Sequence, residues 1–99
     1  MKKRNALYVL GDSPTKAAQA MGCSRQNVAA WTTDDYGNLT SRRVCDGVLA
    51  ALVRRKYAID VEGENLEMVN IDTDTLADLM RVPQDDEDQE SQRAVAQAA

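Results

Sequence analysis

The stretch PTKAAQAMGCSRQNVAAW, residues 14–31, contains two short helical patterns with Gly22 between them. Pro14 suits the first position of a helix, because the N–H that it lacks would have no partner there. Gly22 suits the left-handed residue that ends such a helix. Ser24 is a good N-cap for a second helix, over residues 25–33. The stretch therefore predicts two short helices joined by a tight turn.

Small and apolar side chains stand where these two helices would cross. Ala18 is small at the expected crossing point, and Val28 and Trp31 lie three residues apart, on one edge of the second helix. We expect Trp31 to be a core residue, and the cysteines Cys23 and Cys45 to be small core residues. The pair fits a helix-turn-helix, whose second helix enters the major groove of DNA. The alternative is an ordinary helical hairpin in a small α-domain.

Two further helices flank this pair. Residues 3–10 have apolar side chains at helical spacing and lead into Gly11, which suits a left-handed helix end. After the turn-rich residues 34–38, another helix is predicted to start at Thr40 or Ser41. Its apolar positions form one stripe, made of Val44, Cys45, Val48, Leu49, Leu52 and Val53. The expected fold class is therefore mainly α, with four helices in residues 1–57.

The hydrophobic period changes after this helical unit. Tyr57, Ile59 and Val61 alternate with polar residues, as they would in a β-strand. Residues 66–71 could form the returning strand of a β-hairpin, although their alternation is poor. Whether residues 57–71 are strand or helix stays open at this point.

The remaining sequence predicts one more short helix. Asp72 precedes an apolar pattern that fits a helix, and Pro83 stops it. The chain therefore divides into a domain at residues 1–57, an extension for dimerisation at residues 58–82 and an acidic, mobile tail at residues 83–99.

The net charge of −4 conceals a strong asymmetry along the chain. Residues 1–57 contain ten Lys or Arg and four acidic residues, which gives +6. Residues 58–99 contain two Arg and twelve acidic residues, which gives −10. This distribution indicates a basic working module followed by an acidic segment, and we expect that segment to restrain non-specific binding to nucleic acid.

The composition argues against an enzyme. The chain has no histidine, so the commonest general base and any histidine-containing zinc site are excluded. Two cysteines are too few for a four-thiolate metal site. We therefore expect no catalytic residue, no metal, no cofactor and no small-molecule substrate. The apolar run at residues 6–10 is too short for a signal peptide or a membrane span, so we expect a cytoplasmic protein with no membrane partner.

The segment KAAQAMGCSRQNVAAW, residues 16–31, resembles the helix-turn-helix of small phage Cro repressors and their relatives, many of which read K-A-A-x-A-L-G-V-S-x-x-x-V-x-x-W. The resemblance covers residues 1–57. It departs after Trp31, because relatives often have Ile-Pro before the next helix, where this chain has residues 37–39. It implies a Cro-like fold in residues 1–57 and a protein that binds operator DNA.

Carried over by position, the resemblance implies which side chains face DNA. Arg25 can bond guanine O6 and N7, and Gln26 can bond adenine N6 and N7. The expected base-reading residues are Arg25, Gln26, Ala29, Ala30 and Thr33. The expected phosphate-binding residues are Thr15, Lys16, Ser24, Asn27, Arg42 and Arg43.

The expected function is that of a sequence-specific transcriptional regulator, phage- or prophage-encoded, which represses by occupying operator DNA. One recognition helix covers only a few base pairs, so we expect a homodimer on a twofold-symmetric operator. The expected dimerisation residues are Tyr57, Ile59, Val61, Leu66, Met68, Val69 and Leu79. Two alternatives stay open: a small phage-type activator with the same motif, and a protein-interaction or antirepressor module whose acidic half binds a basic partner.

Overall fold

The computed structural model describes residues 1–84, and this part of the chain folds into five helices. They are α1 (Lys3–Val9), α2 (Pro14–Met21), α3 (Arg25–Ala29), α4 (Arg42–Asp60) and α5 (Thr73–Leu79). β-Structure in this range is confined to two isolated bridges, Lys2 with Asn38 and Thr33 with Leu39. The prediction of a mainly α class is confirmed. The predicted mobile tail lies, from residue 85 onward, outside the described residues.

Four of the five helices in residues 1–84 begin at a polar side chain that caps them. In each case a side-chain oxygen accepts a hydrogen bond from a backbone N–H of the first turn, which the helix itself leaves without a partner. The caps are Ser13 for α2, Ser24 for α3, Ser41 for α4 and Asp72 for α5. The predicted starts of these four helices are confirmed to within a residue.

The core lies between α1, α2, α3 and α4, and α5 closes it against α1. Its fully buried side chains come from every helix, and the largest are Leu10, Leu79, Val9, Val28, Val48 and Cys45. Trp31 is only 8% exposed, which confirms it as a core residue. Neither cysteine forms a disulfide within the described residues; Cys45 is buried and Cys23 is half-buried.

Helix α3 is shorter than predicted, because the residues that follow it pair with the segment that leads into α4. The helix ends at Ala29 rather than at residue 33. Thr33 forms a bridge with Leu39, and the N–H of Thr40 donates to the carbonyl of Thr32 at 3.2 Å. The hydrogen bonds of this pairing replace the helical hydrogen bonds that residues 32 and 33 would have made. Leu39, which belongs to the paired segment, is buried in the core.

The predicted β-hairpin is not present in the described residues. Tyr57 and Ile59 belong to α4, which continues to Asp60, and residues 61–71 contain no strand. The alternation that suggested a strand is outweighed by helical contacts, among them an ion pair at 3.0 Å between Lys56 and Asp60, four residues apart. After α4 the chain turns back, and the Arg55 guanidinium donates to the carbonyl of Glu67.

None of the helices in residues 1–84 has the length and apolar character needed to cross a membrane. The longest of them, α4, has 19 residues, but charged side chains occur in its first two turns and again from Arg54 to its end.

An acidic side chain joins the two ends of the described chain. Asp78 of α5 accepts hydrogen bonds at the same carboxylate oxygen from the N–H of Lys2, at 2.9 Å, and from the amide of Asn5, at 2.7 Å. Burial alone would raise the pKa of Asp78. The two hydrogen bonds, together with the positive charges of the Met1 amino group and Lys2, outweigh burial and lower the pKa below 3.8.

Replacing Asp78 with asparagine tests how these hydrogen bonds contribute to the free energy of unfolding as the pH changes. Because the folded protein lowers the pKa of Asp78, its charge stabilises the fold above about pH 4 and stops doing so as the pH falls through the lowered pKa. We expect the Asp78→Asn variant, which keeps an acceptor oxygen but does not titrate, to be less stable than the parent at pH 7. Below about pH 4 the difference in the free energy of unfolding between the parent and the variant should shrink. Urea unfolding across this pH range measures it.

Asp74→Asn is the matched control, since Asp74 is an exposed acid of the same helix. An acid-dependent loss of stability that is the same in the parent and in Asp78→Asn would contradict the role given to Asp78.

Candidate nucleic-acid interface

Helices α2 and α3 are joined by the three residues 22–24. Gly22 ends α2 in the left-handed conformation, with φ 70° and ψ 33°. The N–H of Cys23 donates to the carbonyl of Ala18 at 3.0 Å, which closes the turn. Ala17 and Ala18 are both buried, and α2 packs directly on α3. Small side chains therefore allow the two helices the close approach that the sequence predicted.

Helix α3 has two distinct faces. Val28 is buried on one side, and Trp31, just beyond the helix, anchors the same side in the core. Gln26 and Ala29 lie on the side that faces away from the core, and Arg25 lies beside them in the first turn; all three are exposed. A rigid helix therefore presents a guanidinium, an amide and a methyl group together on one surface.

The other two predicted base-reading residues lie outside the helix. Ala30 is the C-cap of α3, and Thr33 is part of the extended segment that pairs with Leu39. Both are exposed. Thr33 was expected on the recognition helix, and that placement is wrong because α3 ends at Ala29.

The predicted phosphate-binding residues of α2 and α3 are exposed. They are Thr15, Lys16, Ser24 and Asn27. The hydroxyl of Ser24 is already engaged, because it accepts the N–H of Asn27 at 3.0 Å as the cap of α3. The aliphatic part of Lys16 lies against Gly11, whose φ is 121°; a Cβ at Gly11 would stand 2.7 Å from the Cβ of Lys16. Glycine at position 11 is thus required both by its conformation and by this close approach.

Arg42 and Arg43 lie at the start of α4, next to the segment that follows α3. The hydroxyls of Thr32 and Thr40 are 2.6 Å apart, which fixes this neighbourhood. Arg42 is already engaged: its Nε donates to Asp46 at 3.1 Å, and its Nη1 donates to two main-chain carbonyls near the C-terminal end of the described chain, at 3.2 and 3.3 Å. Arg43 is exposed.

The sequence reasoning missed a basic neighbour of α3. The ammonium group of Lys3 donates to the carbonyls of Ala29 and Trp31, at 3.3 Å each, so its charge lies at the C-terminal end of α3. The exposed side chain of Arg4 follows it in α1. A cluster of basic residues at positions 2–4 was the available signal, but nothing in the sequence shows that the chain folds back onto α3.

The turn at residues 34–38 presents the most exposed aromatic ring of the described chain, that of Tyr36. The carboxylate of Asp34 holds this turn by accepting the N–H groups of Tyr36 and Asn38, both at 2.9 Å. The bond from the Asn38 N–H is the main reason why the pKa of Asp34 lies below its usual value. Asp34 is thus a turn former, as its position beside a turn glycine indicates.

The predicted dimerisation residues separate into three groups by their exposure. Leu79 is fully buried in the core, so its assignment to an interface is wrong: α5 uses it to pack on the rest of the domain. Ile59, Met68 and Val69 are half-buried, and Val69 packs against the core. The exposed members are Tyr57, Val61 and Leu66.

The sequence reasoning placed Val53 on the buried stripe of α4, and this placement is wrong. The side chain lies at the margin of that stripe and is exposed, on the same face as Tyr57. Four-residue spacing between the two was the signal that could have revealed this second apolar face.

In comparisons with known proteins, no family model matches this chain, and neither a curated protein nor a solved structure matches it.

Proposed function

We propose that the chain is a sequence-specific DNA-binding transcriptional regulator of the type that small phage Cro repressors represent. In this proposal α2, the turn at residues 22–24 and α3 form a helix-turn-helix. The single observation that carries it is the division of α3 into a buried and an exposed face, with Val28 fixed in the core and Arg25, Gln26 and Ala29 exposed to solvent. A short, rigidly held helix with such an outer face suits the major groove.

The chemistry of the exposed face supports reading of base pairs. The guanidinium of Arg25 can donate two hydrogen bonds to guanine, and the amide of Gln26 can pair with adenine. Ala29 offers a methyl group of the kind that contacts the methyl group of thymine, and its small size allows close approach. Repression then follows from occupying the operator and excluding the polymerase.

The charge distribution supports contact with the DNA backbone. Residues 1–57 carry a charge of +6, and the basic side chains nearest to α3 come from three helices: Lys3 from α1, Lys16 from α2 and Arg43 from α4. Contacts from several elements would set the position of α3 on the duplex, since phosphate contacts fix orientation and base contacts give specificity.

The test is a titration of the protein with random-sequence duplex DNA at several salt concentrations. We expect log K to fall linearly with log salt, because each phosphate that a basic side chain neutralises releases counterions. The Lys16→Ala variant should lower this slope by about one. Arg81→Ala, a change of the same charge at an exposed position of the acidic half, serves as its control.

Absence of DNA binding at low salt would overturn the proposal and favour a protein-interaction module that uses its acidic half. A regulator that activates rather than represses would bind DNA equally well. A transcription assay with the selected operator placed at different distances from a promoter separates those two roles.

A further inference from the structure

Helix α4 carries an apolar ridge that faces away from the core. It consists of Val53, Tyr57 and Val61, which follow one another at four-residue spacing and therefore lie in one row along the helix. Their side chains are 69%, 54% and 65% exposed. Single exposed apolar residues are common on protein surfaces, but a continuous row of them indicates a contact site.

A groove runs beside this ridge. It lies between the second half of α4 and the segment at residues 68–71, with a volume of about 460 Å³. Leu52, Met68 and Ile71 supply its apolar wall. Ridge and groove together form a surface with both a projecting and a receiving part, as a self-associating surface needs.

We infer that the α4 ridge is the surface on which two copies of this chain dimerise, through antiparallel contact of their α4 helices. The order Val-Tyr-Val reads the same in both directions. A twofold axis at Tyr57 therefore brings Tyr57 against Tyr57 of the partner subunit, and Val53 against Val61 of the partner subunit. Each ring can enter the groove of the other copy.

The charges beside the ridge fit the same arrangement. Lys56 and Asp60 lie on one flank of the ridge and pair at 3.0 Å within the chain. A twofold axis brings the same flank of both helices together, so each Lys56 also approaches Asp60 of the partner subunit. A second copy thus matches this surface in shape and in charge. The inference rests on the proposed function, because reading a symmetric operator requires two recognition helices.

The experiment measures the mass of the full chain in solution by analytical ultracentrifugation, without DNA. We expect the parent protein to be a dimer and the Tyr57→Glu and Tyr57→Lys variants to be monomers, with half the mass. An equimolar mixture of these two variants should regain the mass of a dimer, because the new charges then face each other. Tyr36→Glu is the matched control, since it makes the same change at another exposed tyrosine, and it should remain dimeric.

A monomeric parent protein, a dimer that survives Tyr57→Glu, or a mixture that stays monomeric would each overturn the inference. Circular dichroism verifies that the variants keep their helices, and Val61→Glu replaces Tyr57→Glu if that variant unfolds. Failure of the proposed function can be distinguished from failure of this interface. A dimer through Tyr57 without affinity for DNA refutes DNA binding alone, whereas a DNA-binding protein that is monomeric without DNA refutes this interface alone.

Discussion

Replacing Trp31 with alanine is expected to lower the free energy of unfolding by about 3–5 kcal/mol. The side chain is 8% exposed and packs in the core beside Val28, so its removal leaves a large cavity under α3. A domain of this size has a total stability of about 5–15 kcal/mol. We therefore expect Trp31→Ala to unfold at a clearly lower urea concentration and a clearly lower temperature than the parent, as measured by circular dichroism.

Tyr36→Ala is the control, because it removes another aromatic ring, one that is 81% exposed. Its effect should stay within about 0.5 kcal/mol, as is usual for surface substitutions. If Trp31→Ala were as stable as Tyr36→Ala, Trp31 would not anchor α3 in the core. The proposed function, which depends on a rigidly held outer face of α3, would then lose its support.

Replacing Arg25 with alanine is expected to weaken binding to the preferred operator by about 1–3 kcal/mol, with a much smaller effect on random DNA. The physical reason is that a bidentate contact to guanine distinguishes base pairs, whereas a phosphate contact does not. The measurement is a selection of bound sites from a random DNA pool, followed by titration of the parent protein and the variant on the selected site and on a scrambled one.

Arg25→Lys is the informative companion variant. It keeps the positive charge but loses the planar pair of donors, so it should retain the salt dependence of the parent and still lose discrimination. If affinity for the selected and the scrambled site falls equally in Arg25→Ala, then Arg25 contacts the backbone rather than a base.

The parts of the fold that are set by local chemistry could be predicted from the sequence. A serine or aspartate cap satisfies N–H groups within one turn, and a left-handed glycine ends a helix next to itself, so Ser24 and Gly22 reveal α3 and the turn. The burial of Val28 and Trp31 follows from their spacing. The exposed position of Gln26, across the helix from Val28, follows in the same way, whereas Arg25 stands three residues before Val28 and its exposure does not follow from spacing alone.

The parts that depend on distant residues could not be predicted. The end of α3 is decided by pairing with Leu39, and the burial of Leu79 is decided by the packing of α5 on α1. Local periodicity carries no information about either contact. Val53 stands at the margin of an apolar stripe, where periodicity alone cannot say whether it faces the core or solvent. The same holds for the site: Lys3 reaches α3 only because α1 folds across its end.

The contacts of Arg42 have a thermodynamic consequence. Its guanidinium binds Asp46 and the main-chain carbonyls of Pro83 and Gln84, the last described residues before the acidic run at residues 85–88. If Arg42 binds a phosphate, as the resemblance to Cro repressors implies, the phosphate competes with those acceptors for a fixed number of donors. The competition is reciprocal: the contact with residues 83–84 weakens phosphate binding by Arg42 by the same factor by which a bound phosphate weakens that contact.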